Sequence, residues 1–378
     1  MLDKYKNIIS SCYVIEEALL RKNLVLIKSV AERADVEIIL AFKAFSQWKT
    51  FSIVREYIKK STASSLYEAR LAFEEMGSKA HTYAPVYQAN EFEKIASMSS
   101  HVTFNSLAHF EKYFPQTEKY GISCGLRINP EISVVETDLY NPAKAGSRLG
   151  IVAENLPKTL PKGIEGLHFH VLCENSSYDL EKVLEVVEQK FNAQLRQVKW
   201  LNMGGGHLIT REDYDVEHLI SLLKKFKEKY PNLHIILEPG AAFAWRTGVL
   251  IAEVQDIVEN QGIKTAMLNI SFACHLPDCL EMPYKPVVVG EIPPQKDVFK
   301  YRFGGNSCLS GDFLGDFYFH KKLKIGQRII FEDMIHYTTV KTTMFNGVSH
   351  PSIGILRKNG DFELLKKFSY EDYKNRMC

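Results

Sequence analysis

Short β-rich runs alternate with amphipathic stretches along the first two-thirds of the chain. The runs fall at about 36–43 (VEIILAFK), 61–65 (STASS), 79–84 (KAHTYA), 101–105 (HVTFN), 123–129 (SCGLRIN), 164–171 (IEGLHFHV), 198–203 (VKWLNM) and 234–239 (HIILEP). Between them, charges interleave with apolar residues at helical spacing. Apolar strands separated by helices imply a parallel sheet covered on its outer side. Eight such units predict an α/β chain built on a (β/α)8 barrel, with a doubly wound open sheet as the competing architecture.

Local chemistry supports the helix starts. Ser65 with Glu68 spells a capping box, and Asn105 or Ser106 can cap the following helix. Residues 5–15 read as a strand, followed by a helical stretch from Glu16. After Glu238 the texture changes. GVLIAEVQDIVEN, IKTAMLNISF, KPVVVGEI, KYRFGG, QRIIFED and HYTTV are strand-like runs joined by Gly and Pro turns. The expected division is a barrel over 16–242 and a β-rich domain from 1–15 with 243–378.

Composition narrows the partners. The 378 residues are 46% hydrophobic and 24% charged with a formal net charge of +2, which gives no nucleic-acid footprint and no polybasic membrane surface. The N-terminal stretch has charges among short apolar runs and nothing approaches about eighteen consecutive apolar residues, so neither signal peptide nor membrane span is expected. Seven scattered cysteines without a CxxC pair fit a reducing cytoplasm and give no structural metal signature. A small-molecule substrate is the expected partner.

The mouth of such a barrel, at the C-terminal ends of the strands, is where chemistry is done. Lys43, Arg127, His168 and His170, the run Gly204, Gly205 and Gly206, and Glu238 all fall at such ends, from five different strands. Singly each has a plainer interpretation: a loop lysine, a tight turn, a surface carboxylate. Together they suit a site. A buried lysine can lose its proton and form a Schiff base with a carbonyl compound. Successive glycines bring backbone N–H groups close to a phosphate, helped by the helix expected near Glu212. A carboxylate such as Glu238 can hold a heteroaromatic nitrogen protonated. His168 and His170, two apart on a strand, point to one face, one to pack on a cofactor ring and the other to support it. Beyond the barrel, Cys308 in GNSCLSGDF sits in a turn-rich loop with Asp312 and could supply a proton. Asp278 and Glu281 in ACHLPDCLEMPY suit distal ammonium groups of a substrate, with His275 and Asp312 as further substrate-binding candidates. Tyr337 could donate to a phosphate, although a packing tyrosine is the commoner case.

With AFKAF, HFHV, LNMGGGH, LEPG and GNSCLSGD in this order, the chain resembles the fold-type III pyridoxal 5'-phosphate (PLP) dependent decarboxylases. TASSLYEARL, GLRINP, ETDLYNP, GSRLG, GLHFHVLCE, WLNMGGGH, CHLPDCLEMPY and MFNG are similar to the branch acting on carboxynorspermidine and carboxyspermidine. The resemblance covers essentially the whole chain. It implies that Lys43 carries PLP, His170 stacks on the ring, and Glu238 pairs with the ring nitrogen. Gly204, Gly205 and Gly206 with Tyr337 would hold the phosphate. Cys308 would reach the site of a second subunit in a homodimer and protonate the substrate. Two departures from diaminopimelate decarboxylases carry information. EPGR becomes EPGA here, which removes an arginine from the phosphate and leaves Arg246 as a substitute candidate. Glu281 stands where those relatives place an arginine for a distal carboxylate, favouring a polyamine acid over a dicarboxylic one. The alternatives are a diaminopimelate decarboxylase and, in a different class, a non-catalytic PLP-binding homeostasis protein, which would lack the β-rich region after 243.

Overall fold

The first β-rich run is split at Ile39, and its two halves face different neighbours. Glu37–Ile38 pairs in parallel with His234–Leu237, while Leu40–Ala41 pairs with Ser61–Ala63. The link between them is held as well, since Ile39 N–H donates to Leu237 O at 2.9 Å and Leu40 N–H to Lys60 O at 3.1 Å. The parallel sheet therefore returns upon itself as a barrel, through Ala80–Tyr83, Ser99–Phe104, Ser123–Asn129, Ile164–His168 and Trp200–Asn202 in sequence order. Ile151–Val152 adds a short flanking strand beside the end of Ser123–Asn129. These positions come from a computed structural model that describes residues 2–135, 138–282 and 284–378. Glu136 and Thr137 of ETDLYNP and Pro283 of CHLPDCLEMPY lie outside the described residues.

Helices cover the barrel strands, and their starts follow the expected chemistry with one difference. Ser106, not Asn105, caps Leu107–Glu118 by accepting from His109 N–H; Asn105 instead accepts from Gly150 N–H and Tyr83 OH, both at 2.8 Å. Ser65 accepts from Glu68 N–H, but the Glu68 carboxylate returns to Ser64 N–H at 2.7 Å, one residue earlier than in a capping box. The full box belongs to Ser176 and Asp179 at the head of Ser177–Leu195. At the N-terminal end of the barrel, Trp200 lies across two neighbouring strands at glycines, where a Cβ on Gly166 would meet its ring at 1.9 Å and one on Gly125 at 2.3 Å. His81 and His101 stack there with centroids 3.8 Å apart.

The chain divides into two compact units, Arg21–Phe243 and Met1–Leu20 with Ala244–Cys378. In the second, a sheet runs in the order Phe313–Phe319, Phe299–Gly304, Ile263–Leu268, Gly248–Asn260, Cys12–Glu16, Ser352–Leu356 and Phe362–Lys366, with Arg328–Glu332 also paired to Gly248–Asn260. Two runs differ from expectation. HYTTV forms the 3-10 turn Tyr337–Thr339 instead of a strand, and KPVVVGEI contributes only an isolated bridge from Val288 to Phe331. Short helices Phe272–His275 and Pro277–Glu281, begun by Ser271 and by a proline at the first turn, interrupt the β texture.

Candidate active site

Lys43 lies in the turn after the first barrel strand, and that turn is fastened to the one bearing Glu238. Ala41 N–H donates to Pro239 O at 3.2 Å, and a Cβ on Gly240 would meet Ala44 Cβ at 2.5 Å, so only glycine lets the two turns close on each other. Phe42 anchors the same turn by stacking on Phe51, centroids 5.0 Å apart. Lys43 itself is surrounded by strand ends yet reachable by solvent, as a lysine standing in a cavity must be.

His170 faces it, with Nε2 3.3 Å from Lys43 Nζ. The strand carrying the two histidines ends at His168, so His170 belongs to the following loop and the pair does not share one strand face. Instead His168 turns to Glu238, with Nε2 3.2 Å from Oε1. Arg127 braces the loop: its Nη2 donates to His170 O at 3.1 Å, and its guanidinium lies 4.6 Å from the Tyr83 ring centroid.

The glycine turn is required by contact. A Cβ on Gly204 would meet Phe169 O at 2.4 Å, on Gly205 Glu238 O at 2.6 Å, and on Gly206 Leu172 O at 2.2 Å, all unyielding backbone atoms. Two of its N–H groups have partners within the site. Gly204 N–H donates to Asn202 Oδ1 at 2.8 Å, and Gly205 N–H to His170 Nδ1 at 2.9 Å. The next helix, Val216–Lys229, begins later than Glu212, and Asp215 already caps it by accepting from His218 N–H. The positive end of that helix is thus matched by a carboxylate of its own.

Asn202 was not singled out by sequence reasoning, although a buried amide at the end of the apolar WLN strand, just before the glycines, was the available signal. Its Nδ2 donates to Glu238 Oε2 at 3.0 Å while its Oδ1 holds Gly204, which ties the carboxylate to the glycine turn. Burial alone would raise the Glu238 carboxyl, but His168, Asn202 and Lys43 outweigh it and hold it below the usual carboxylate range. Burial lowers Lys43 from the usual lysine value, Arg127 adds to the effect, and Glu238, Cys173 and Glu68 oppose it. Burial, then Lys43 and Arg127, push His170 well below the ordinary imidazole value. The set presents an amine inclined to shed its proton, an imidazole inclined to stay neutral and an anionic carboxylate.

The other candidates lie in the second unit. Asp278 and Glu281 stand on Pro277–Glu281, and both pair with Lys341, whose Nζ is 2.8 Å from Asp278 Oδ1. Cys308 is exposed, and its N–H donates to Asn346 Oδ1 at 2.9 Å. Asp278, Asp312 and His275 are all buried. Asp312 accepts from Ala273 N–H and from both N–H and Oγ–H of Ser307, while His275 Nδ1 accepts from Ser271 N–H at 3.0 Å. They brace the segments bearing Cys308 and Asp278. Tyr337 is half-buried in its 3-10 turn, and Arg246 N–H donates to Asp333 Oδ1. Among the described residues no cluster of His, Cys, Asp and Glu could hold a metal ion, and no helix is long and apolar enough to cross a membrane.

The donor set fits PLP: a reachable lysine for its aldehyde, an anionic carboxylate for its ring nitrogen, and a neutral imidazole beside the lysine. Comparison with known proteins agrees. Residues 12–335 match the family model described as pyridoxal-dependent decarboxylase, C-terminal sheet domain. A carboxyaminopropylagmatine decarboxylase of Synechocystis is 49% identical over 97% of this chain and 95% of its own. A carboxynorspermidine/carboxyspermidine decarboxylase of Campylobacter jejuni is 44% identical over 98% and 99%. The crystal structure of C. jejuni carboxynorspermidine decarboxylase complexed with norspermidine superposes with a TM-score of 0.91 at 43% identity, covering 98% of this chain and 100% of that one. The chain belongs to the pyridoxal-dependent decarboxylases.

Proposed function

We propose that this chain removes carbon dioxide from carboxynorspermidine or carboxyspermidine to give the triamine, as a step of polyamine biosynthesis. The observation that carries the assignment is the trio of Lys43, His170 and Glu238, gathered from separate strand ends, with Lys43 Nζ 3.3 Å from His170 Nε2 and Glu238 held by His168. Full-length likeness to relatives named for carboxylated polyamines supports the substrate class.

Bound PLP supplies an aldehyde carbon and a ring that accepts the electron pair left when the carboxylate departs. Lys43 would bind that aldehyde and be displaced by the substrate amine, Glu238 would keep the ring nitrogen protonated, and His170 would lie against the ring. The carbon bearing the lost carboxylate needs one proton. Cys308 of a second subunit is the proposed donor, its loop held by Asp312 and Asn346. Asp278 and Glu281 would take the distal ammonium groups, and Lys341 supplies their positive partner within the chain. Gly206 and Tyr337 are the proposed phosphate contacts, with Gly204 and Gly205 shaping the turn. A homodimer in the cytoplasm follows from the same assignment; the buried thiols Cys12, Cys124, Cys274 and Cys279 suit a reducing compartment.

Carbon dioxide release from carboxynorspermidine, carboxyspermidine, carboxyaminopropylagmatine and diaminopimelate tests the substrate. Turnover of either carboxylated triamine is expected to exceed that of diaminopimelate; preference for diaminopimelate overturns the proposal. The agmatine arm is included because the 49%-identical relative is named for it. Purified protein should carry the visible absorbance of bound PLP, and Lys43→Ala should lose it.

A further inference from the structure

Both ring nitrogens of His170 have assigned neighbours, and their chemistry is not interchangeable. Nδ1 lies 2.9 Å from the backbone N of Gly205, which can only donate. Nδ1 must therefore accept, and it carries no proton. A neutral imidazole then bears its hydrogen on Nε2, the nitrogen 3.3 Å from Lys43 Nζ. If Lys43 were an ammonium, two donors would point at each other. We infer that the Gly205 N–H fixes His170 as its Nε2–H tautomer, and that this hydrogen is presented to Lys43, which stands in the site as a free amine. The inference rests on the proposed PLP chemistry of Lys43 and names what prepares that lysine for it.

The surroundings of His170 act in the same direction. Burial and the Arg127 guanidinium oppose a charge on His170. Around Lys43, burial and Arg127 favour the amine, while Glu238, Cys173 and Glu68 favour the ammonium. His207 is itself pushed down to about 4 by burial, so it adds no positive charge near neutrality. The hydrogen bond from His170 is the directed contribution among these, because it has one geometry and one sign. It also gives the glycine turn a second task. Gly205 must lack a side chain to fit beneath Glu238 O, and the closeness this allows puts its N–H in reach of the imidazole. His170 is thereby a positioning residue for Lys43.

The test uses the full-length protein. Selective ¹⁵N labelling of histidine reports the tautomer of His170 directly, its resonances assigned by their loss in a His170 variant. An unprotonated Nδ1 and a protonated Nε2 are expected at neutral pH; the opposite tautomer or an imidazolium overturns the inference. Independently, the rate at which protein stripped of cofactor takes up added PLP is followed against pH, since only the free amine adds to the aldehyde. His170→Asn keeps an acceptor for Gly205 N–H but withdraws the donor to Lys43. Its uptake profile should move up by about one pH unit. His170→Gln, whose amide reaches the Nε2 position, should restore much of the original profile. An Asn profile that coincides with wild type refutes the role of His170, whereas absence of PLP uptake by the wild-type protein would instead refute the proposed function.

Discussion

At the residue scale, the carboxylate of Glu238 depends on a neighbour that takes no part in the chemistry. Asn202 satisfies both Glu238 Oε2 and the N–H of Gly204 from a position 3% exposed to solvent. Asn202→Ala leaves that N–H without its acceptor and the carboxylate with one donor fewer, at a cost of about 1–3 kcal/mol. A lower melting temperature and a higher Kd for PLP are expected, and a variant matching wild type in both would remove the bracing role. Glu238→Gln retains the volume but ends the charge proposed to hold a ring nitrogen protonated. Decarboxylation should fall on the order of 10²-fold while PLP stays attached through Lys43, as read by kcat and by absorbance. Linkage gives a sign for stability as well. Because the folded Glu238 is held below the usual carboxylate range, its contribution is fully present above the unfolded carboxyl pKa and is lost as pH falls through the lower folded value.

At the scale of elements, the turn after the seventh barrel strand is fixed by backbone contacts that no side-chain rotation relieves. Gly205→Ala or Gly206→Ala forces its surroundings apart and should cost about 1–3 kcal/mol, with PLP retention lost alongside. Gly311→Ala, where a Cβ meets nothing within 4 Å, is the control and should lie within about 0.5 kcal/mol of wild type in urea unfolding. The same turn shows why the barrel was legible and its details were not. Each barrel strand announced itself by a β-rich run between amphipathic stretches, and Lys43, His170 and Glu238 could be placed at strand ends by counting. The partners of Gly204 and Gly205 could not, since they depend on where His170 leaves its strand and which way Asn202 points. In the second unit the periodicity failed for other reasons. HYTTV has the aromatic and β-branched content of a strand, but Thr339 OH bonds back to Ile335 O and His336 O, closing a turn instead. Phe313–Phe319, with a glycine and an aspartate inside it, did not read as a strand at all.

At the scale of the molecule, acid should act through buried histidines, one of them at the N-terminal end of the barrel. His101 is pushed down to about 4 by burial, so between an unfolded value near 6.5 and that point the unfolded chain binds a proton the folded one refuses. Stability therefore falls as pH falls through this window. Glu37, drawn down to about 2 by His234 and Lys60 against the opposing effect of burial, extends the decline below its usual value of 4.5. His101→Phe preserves a ring beside His81 and Trp200 and should lose about 1–3 kcal/mol less than wild type between pH 6.5 and 4, measured by urea unfolding. The proposed dimer is tested by mass in solution, where twice 43.2 kDa is expected.

The strand Cys12–Glu16 lies between Gly248–Asn260 and Ser352–Leu356, one partner antiparallel and the other parallel. On a ribosome adding roughly 5–20 residues per second, it emerges some tens of seconds before its second neighbour is made. The barrel can be translated in full during that wait. Until then an apolar strand stands with unpaired backbone edges, a template for any extended segment nearby. Yield in a cell is thus expected to be set by what shields those five residues while the rest of the chain is still being made.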